Sequence, residues 1–174
     1  RLTEARRPAR LDPTGAMTPL PEQRTDLWDG RLIGEAATLL RRAAGIGRSG
    51  PYQLMAAIHA VHATRRETGV TAWDRIVALY DALITVRPSA VAEVNRAVAL
   101  GEAEGAEVGL DALSSVADPE RLAGWLPYQA ARAGLCAKAG RNAEAADALR
   151  RALALQPAPA ERLFLERRLA ELAA

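Results

Sequence analysis

Two stretches of the chain end alike, 69 residues apart: Tyr80, Leu83 and Pro88 recur in register as Leu149, Ala152 and Pro157. In each, a bulky apolar residue precedes a second apolar residue on the same helical face, and a proline follows where the helix must stop. The interval is close to twice about 34 residues, a period at which helix–turn–helix units repeat. Units of that kind stack so that each buries its neighbour's apolar face, and the stack leaves a concave surface suited to holding a partner. The echo therefore points to helices and to binding before any single residue is considered.

The composition agrees. Apolar residues make up 49% of the 174, yet there is one Phe and only seven aromatic residues in all. Alanine and leucine fill the interior instead, and alanine is the best helix former, so the chain reads as all-α and as a single folded domain. No run of about 18 apolar residues exists to cross a membrane. Arg1 begins mid-pattern without an initiator Met or a signal peptide, which reads as a fragment of something longer. Cys136 is the only cysteine, and a lone thiol mid-helix among alanines fits a reducing cytoplasm better than a nucleophile. Arginine supplies all but one of the 23 basic residues, the exception being Lys138, while net charge is only +2. A nucleic-acid binder needs a concentrated basic patch, so the arginines fit a compositional bias better than a phosphate-binding surface.

Along the chain, residues 1–21 form a basic arm whose first ten residues carry Arg1, Arg6, Arg7 and Arg10 against Glu4 alone. Pro8, Pro13, Pro19 and Pro21 exclude a continuous helix, and Asp12-Pro13-Thr14-Gly15 is a turn signal, so a small β-hairpin or extended arm is expected. Residues 22–50 make a leading helical segment with a stripe of Trp28, Leu32, Ile33, Ala36, Leu39 and Leu40, ended by Gly45 or Gly47. Residues 51–174 then read as tetratricopeptide (TPR)-like repeats. Ser49-Gly50-Pro51 opens a helix through Leu54, Ala57, Ile58 and Val61. Thr71 is placed to cap the next, and Ser89 the one after, which turns Val91, Val94, Ala97 and Val98 inward. A short helix covers about 107–116, a break falls at Asp118-Pro119, and a helical hairpin turns around Gly140. A last helix, 159–172, presents Leu163, Phe164 and Leu169 and caps the stack. The expected fold is thus a short right-handed solenoid of three helix pairs, about 51–88, 89–117 and 125–157.

In a TPR-like register His62 and Asn95 share one repeat position in the groove, where polar side chains could clamp a backbone or a carboxylate. Gln53 and His59 lie on the same helix as His62. Arg96 and Arg132 fall in apolar stretches and need a carboxylate or carbonyl partner, as internal braces or as groove cations. His59 and His62 are spaced to turn two imidazoles to one side, but no third ligand stands nearby, so no metal is expected. No phosphate-cradling glycine loop, nucleophile elbow or carboxylate pair appears, and neither catalysis nor a cofactor is expected. Residues 99–120 carry Glu102, Glu104, Glu107, Asp111, Asp118 and Glu120 without a basic residue, either a solvated edge or an acidic docking surface.

Six stretches carry a resemblance. They are ARRPARLDPTGAMTPL (5–20), LPEQRTDLWD (20–29), GPYQLMAAIHAVHAT (50–64), LYDALITVRPSAVAEVNRAVA (79–99), AARAGLCAKAGRNAEAADALRRALAL (130–155) and ERLFLERRLAEL (161–172). Together, and in this order, they resemble the C-terminal TPR-like extension of extracytoplasmic-function (ECF) sigma factors. The string containing Tyr80, Pro88, Asn95 and Arg96 is the most specific. The resemblance implies a bacterial, cytoplasmic protein that directs RNA polymerase to promoters. DNA would be contacted by domains N-terminal to this region and not by this segment. The segment itself would regulate transcription initiation by contacting the sigma domains in cis, RNA polymerase or a signalling partner, with a small YCII-like protein as a candidate. The alternative is a free-standing TPR-like adaptor for a peptide or protein.

Overall fold

The computed structural model describes residues 1–45 and 50–173, and it is helical throughout: ten α-helices, three 3-10 turns and no strand among the described residues. The helices are α1 (Leu2–Ala5), α2 (Gly30–Ala44), α3 (Pro51–Thr68), α4 (Trp73–Val86), α5 (Ala90–Ala103), α6 (Ala106–Ser114), α7 (Pro119–Leu122), α8 (Leu126–Lys138), α9 (Asn142–Ala154) and α10 (Pro159–Ala173). Gly47 and Ser49, expected at a helix end and a helix start, lie outside the described residues.

The chain divides into two compact units. Unit 1 comprises Arg1–Asp12 and Thr18–Pro88; unit 2 comprises Pro13–Met17 and Ser89–Ala174, so the chain visits unit 2 briefly before returning.

In unit 1 the N-terminal arm begins with α1 and a 3-10 turn at Arg7–Ala9 where an extended start was expected. A turn forms after Asp12, and across it the Thr18 N–H donates to the Arg10 carbonyl at 2.8 Å. Leu11 and Met17 each take a single bridge position, short of a strand. Pro8 and Pro13 have no N–H to lengthen the pairing, and the Met17 N–H donates to the Ala160 carbonyl of unit 2's own α10 at 2.9 Å. Burial of Ala5 and Ala9 seats this segment against the helices. Two further 3-10 turns, Leu20–Glu22 and Thr25–Leu27, lead to α2. Asp29 caps α2, its carboxylate accepting from the N–H groups of Arg31 at 2.9 Å and Leu32 at 3.1 Å.

Trp28 is almost sealed, with the Arg65 guanidinium 5.6 Å above its ring. That guanidinium also donates to the carbonyls of Leu20 at 2.8 Å and Gln23 at 2.5 Å, tying the lead-in to α3. Leu54, Ile58 and Val61 of α3 and Ile76 and Leu83 of α4 complete the core. Thr71 does not cap α4; the side chain makes no such bond and Ala72 occupies the cap position.

In unit 2 the Ser89 hydroxyl caps α5 as expected, accepting from the Ala92 N–H at 3.2 Å. Val94 and Ala97 turn inward with Leu113, Val116, Leu122 and Leu135, whereas Val91, in the first turn, is 53% exposed. Between α8 and α9 Gly140 takes φ +73°, a left-handed value that lets the Arg141 N–H reach back to the Cys136 carbonyl at 2.9 Å. A second cluster joins Ala133, Ala148, Leu149, Ala152 and Leu165. Leu165 is the residue of α10 that turns fully inward, and Leu163, expected in the stripe, is 44% exposed. The two halves of the 69-residue echo agree at Leu83 and Ala152, both buried, whereas Tyr80 is half-buried where Leu149 is buried, and Pro88 is exposed where Pro157 is buried.

Candidate functional site

The face of α3 that runs between α2 and α4 carries Leu54, Ala57, Ala60, Val61 and Thr64. Alanine at 57 and 60, and at 78 across from them on α4, leaves space where longer side chains would meet. The result is an open groove of about 590 Å³ in unit 1, floored by Leu40, Leu54, Val61 and Leu79. Arg41, in the last turn of α2, and Arg75, in the first turn of α4, are both exposed at its rim. Among the described residues no carboxylate lines it. Such a shape and lining suit a non-covalent partner with an apolar face.

Of the residues singled out from the sequence, Gln53 contributes to this groove, and its side-chain oxygen also accepts from the Gly50 N–H at 2.7 Å to close the start of α3. His59 and His62 come together elsewhere in unit 1. Nη2 of Arg6, a buried guanidinium, lies 3.2 Å from Nδ1 of His59. His62 meets the edge of Trp73, ring centroids 5.4 Å apart. Burial, reinforced by the nearby Arg6, depresses both imidazoles, and His62 falls to about 4. Neutral imidazoles beside a cation are packing groups, and among the described residues no three His, Cys, Asp or Glu side chains gather to hold a metal ion.

Asn95 and Arg96 belong to α5 and Arg132 to α8, all in unit 2. Asn95 is exposed and Arg96 half-buried. Arg132 finds carboxylate partners on α9, Glu144 at 3.6 Å and Asp147 at 3.9 Å, and so braces the α8–α9 hairpin. The acidic run is partly neutralised within unit 2. Glu102 pairs with Lys138, and Glu107 with the guanidinium of Arg141, which donates from Nε at 3.1 Å. Glu104 and Asp111 remain exposed on the surface. Cys136 is buried, and burial pushes its thiol up, away from thiolate chemistry.

Residues 1–44 match the family described as a family of unknown function (DUF6596). The match covers the N-terminal segment and all of α2. Over 173 residues the chain is 39% identical to an uncharacterized protein of Rhizobium meliloti (strain 1021). That alignment takes in 99% of this chain and 40% of the relative, so the chain spans less than half of that protein's length. No solved structure matches.

The groove residues Arg41, Ala60, Arg75 and Leu79 were not singled out by the sequence reading. Their signal was available: an alanine face on α3 interrupting an apolar stripe, flanked by arginines that lack an acid at helical spacing. Among the described residues no helix is long and apolar enough to cross a membrane.

Proposed function

We propose that this chain is the TPR-like regulatory module of an ECF sigma factor, a short helical-repeat solenoid that acts by holding a protein partner and performs no catalysis. The observation that carries the reading is the open apolar groove of α2, α3 and α4, rimmed by arginines. The resemblance of six ordered stretches to sigma-factor extensions supplies the biological setting, a bacterial cytoplasm. In this reading the partners are the sigma domains in cis, RNA polymerase or a small YCII-like protein. Promoter DNA is left to other domains of the longer protein. Occupying the groove changes how readily the sigma domains engage polymerase, and unit 2 offers the exposed Asn95, Glu104 and Asp111 as polar contacts of its own.

The test fills the groove in the longer protein. Ala60→Trp places a large ring where Ala57, Ala60 and Ala78 now leave space, and promoter-directed transcription is then measured. A change in transcription with unaltered helical content supports the reading. Unchanged transcription sinks it and leaves the second reading, a TPR-like adaptor whose partner is unrelated to polymerase.

A further inference from the structure

We propose that the occupant of the α2–α4 groove is an amphipathic helix with leucine-sized apolar residues on one face and carboxylates on its flanks. The inference rests on the reading that the groove holds a protein partner, and it adds the partner's chemistry.

The floor sets the first requirement. Leu40, Leu54, Val61 and Leu79 offer apolar contact along the groove, and Ala57, Ala60 and Ala78 leave recesses between them. Side chains projecting at i, i+3, i+4 and i+7 from a helix fill such recesses, as apolar anchors do when a helix lies in a groove. A nucleic acid would find no stripe of cations here to follow its phosphates.

The rim sets the second. Several exposed arginines of this chain already meet a carboxylate: Arg24 with Asp26, Arg31 with Glu35, Arg141 with Glu107, Arg151 with Asp147 and Arg162 with Glu166. The two arginines that line the groove do not. Three and four positions either side of Arg75 stand Thr71, Ala72, Ala78 and Leu79. Around Arg41 they are Ala37, Thr38, Ala44 and Gly45, and the Arg41 guanidinium donates to the Thr38 hydroxyl at 3.1 Å. Neither forms an ion pair among the described residues. Two exposed guanidiniums, one from α2 and one from α4, lining an apolar groove match carboxylates on the flanks of one helix, each able to form a charge-assisted hydrogen bond.

The unit as a whole favours the same sign. Its sequence holds 13 arginines against nine aspartates and glutamates, whereas unit 2 holds ten basic residues against twelve acidic ones. Unit 1 therefore steers acidic partners inward and repels basic ones.

Fluorescence anisotropy on the full chain tests this with two labelled peptides. One is a helix of leucines and glutamates in amphipathic spacing; in the other every glutamate is lysine. The leucine–glutamate peptide should bind, weaken with salt, and lose about tenfold or more in affinity on Arg41→Glu with Arg75→Glu. On that variant the lysine peptide should gain. Ala60→Trp should block both, and because the charge reversal changes only exposed residues it reads out even where the tryptophan perturbs folding. Equal binding of the two peptides, binding indifferent to the charge reversal, or no binding of either would overturn the proposal. So would concentration-dependent dimerisation in sedimentation that Ala60→Trp abolishes, which would give the groove to a second copy. A transcriptional effect of Ala60→Trp without any charge preference would leave the regulatory reading standing and remove only this one.

Discussion

The guanidinium of Arg6 sits 3.2 Å from Nδ1 of His59 with both groups substantially buried, a cation held against an imidazole that accepts its hydrogen bond. The contact puts the His59 proton on Nε2 and keeps the ring neutral. One turn further along α3, His62 is held neutral by burial first and then by the field of Arg6, His59 and Arg65. The segment α1 is thereby fastened to α3 by groups that tolerate no added positive charge.

Mild acid should loosen unit 1. His62 folds with its pKa lowered from 6.5 to about 4, so between those values the unfolded chain binds more protons than the folded one. Stability is fully present above pH 6.5, falls as pH drops toward 4, and changes no further from this group below that. The loss is on the order of 2 kcal/mol after allowing for partial exposure. Thermal melts from pH 7 to pH 4 should show the decline, and His62→Phe, which keeps the contact with Trp73, should flatten it. An equally steep decline in the variant would assign the effect to other groups.

Two glycines in unit 2 differ in what surrounds them. A Cβ on Gly109 would come within 2.8 Å of both the Ala97 carbonyl oxygen and the Gly101 Cα, which are backbone and cannot step aside. A Cβ on Gly101 meets the end of the Leu135 side chain, which can rotate. Gly109→Ala should cost about 2 kcal/mol in urea denaturation. Gly101→Ala should cost less, since alanine's helix propensity returns up to about 1 kcal/mol. The reverse order would show that α5 and α6 do not approach as closely as described.

Asp29 satisfies two backbone donors of α2, and Asp29→Ala should lower stability by about 1 kcal/mol. Asn caps equally well, so Asp29→Asn should restore most of the loss. Faster amide hydrogen exchange at Arg31 and Leu32 in the alanine variant alone would locate the effect.

The phase of α10 can be read from two leucines. Leu165 is 1% exposed against Ala148 and Leu149, and its replacement by alanine should cost about 3 kcal/mol. Leu163→Ala should change little. Comparable losses at both sites would mean that the helix is rotated from the orientation described.

Much of the fold was legible because it depends on local rules. Proline at 51, serine at 89 and glycine at 140 place helix boundaries through dihedral and hydrogen-bonding limits that act within a few residues. The N-terminal arm was not legible in the same way. Its turn is local, but how far two arms pair beyond it depends on where distant groups such as the Ala160 carbonyl lie. Leu163 and Leu165 are equally apolar, and only the position of α9 decides which faces inward. Arg132 in an apolar stretch needs a carboxylate or carbonyl partner, and Glu144 and Asp147 supply the former. The groove escaped notice because alanine at 57 and 60 means close helix packing when something lies opposite and open space when nothing does. That distinction is a property of three helices together.

The early excursion of residues 13–17 into unit 2 has a practical consequence for anyone wishing to separate the halves. Cutting after Pro88 strands that pentapeptide on the wrong piece and removes the amide that the Ala160 carbonyl accepts. A limited digest that nicks the chain there need not release independent parts, and the C-terminal fragment expressed alone lacks a segment that its own unit uses. Dissection of this protein is better done by point substitution than by truncation.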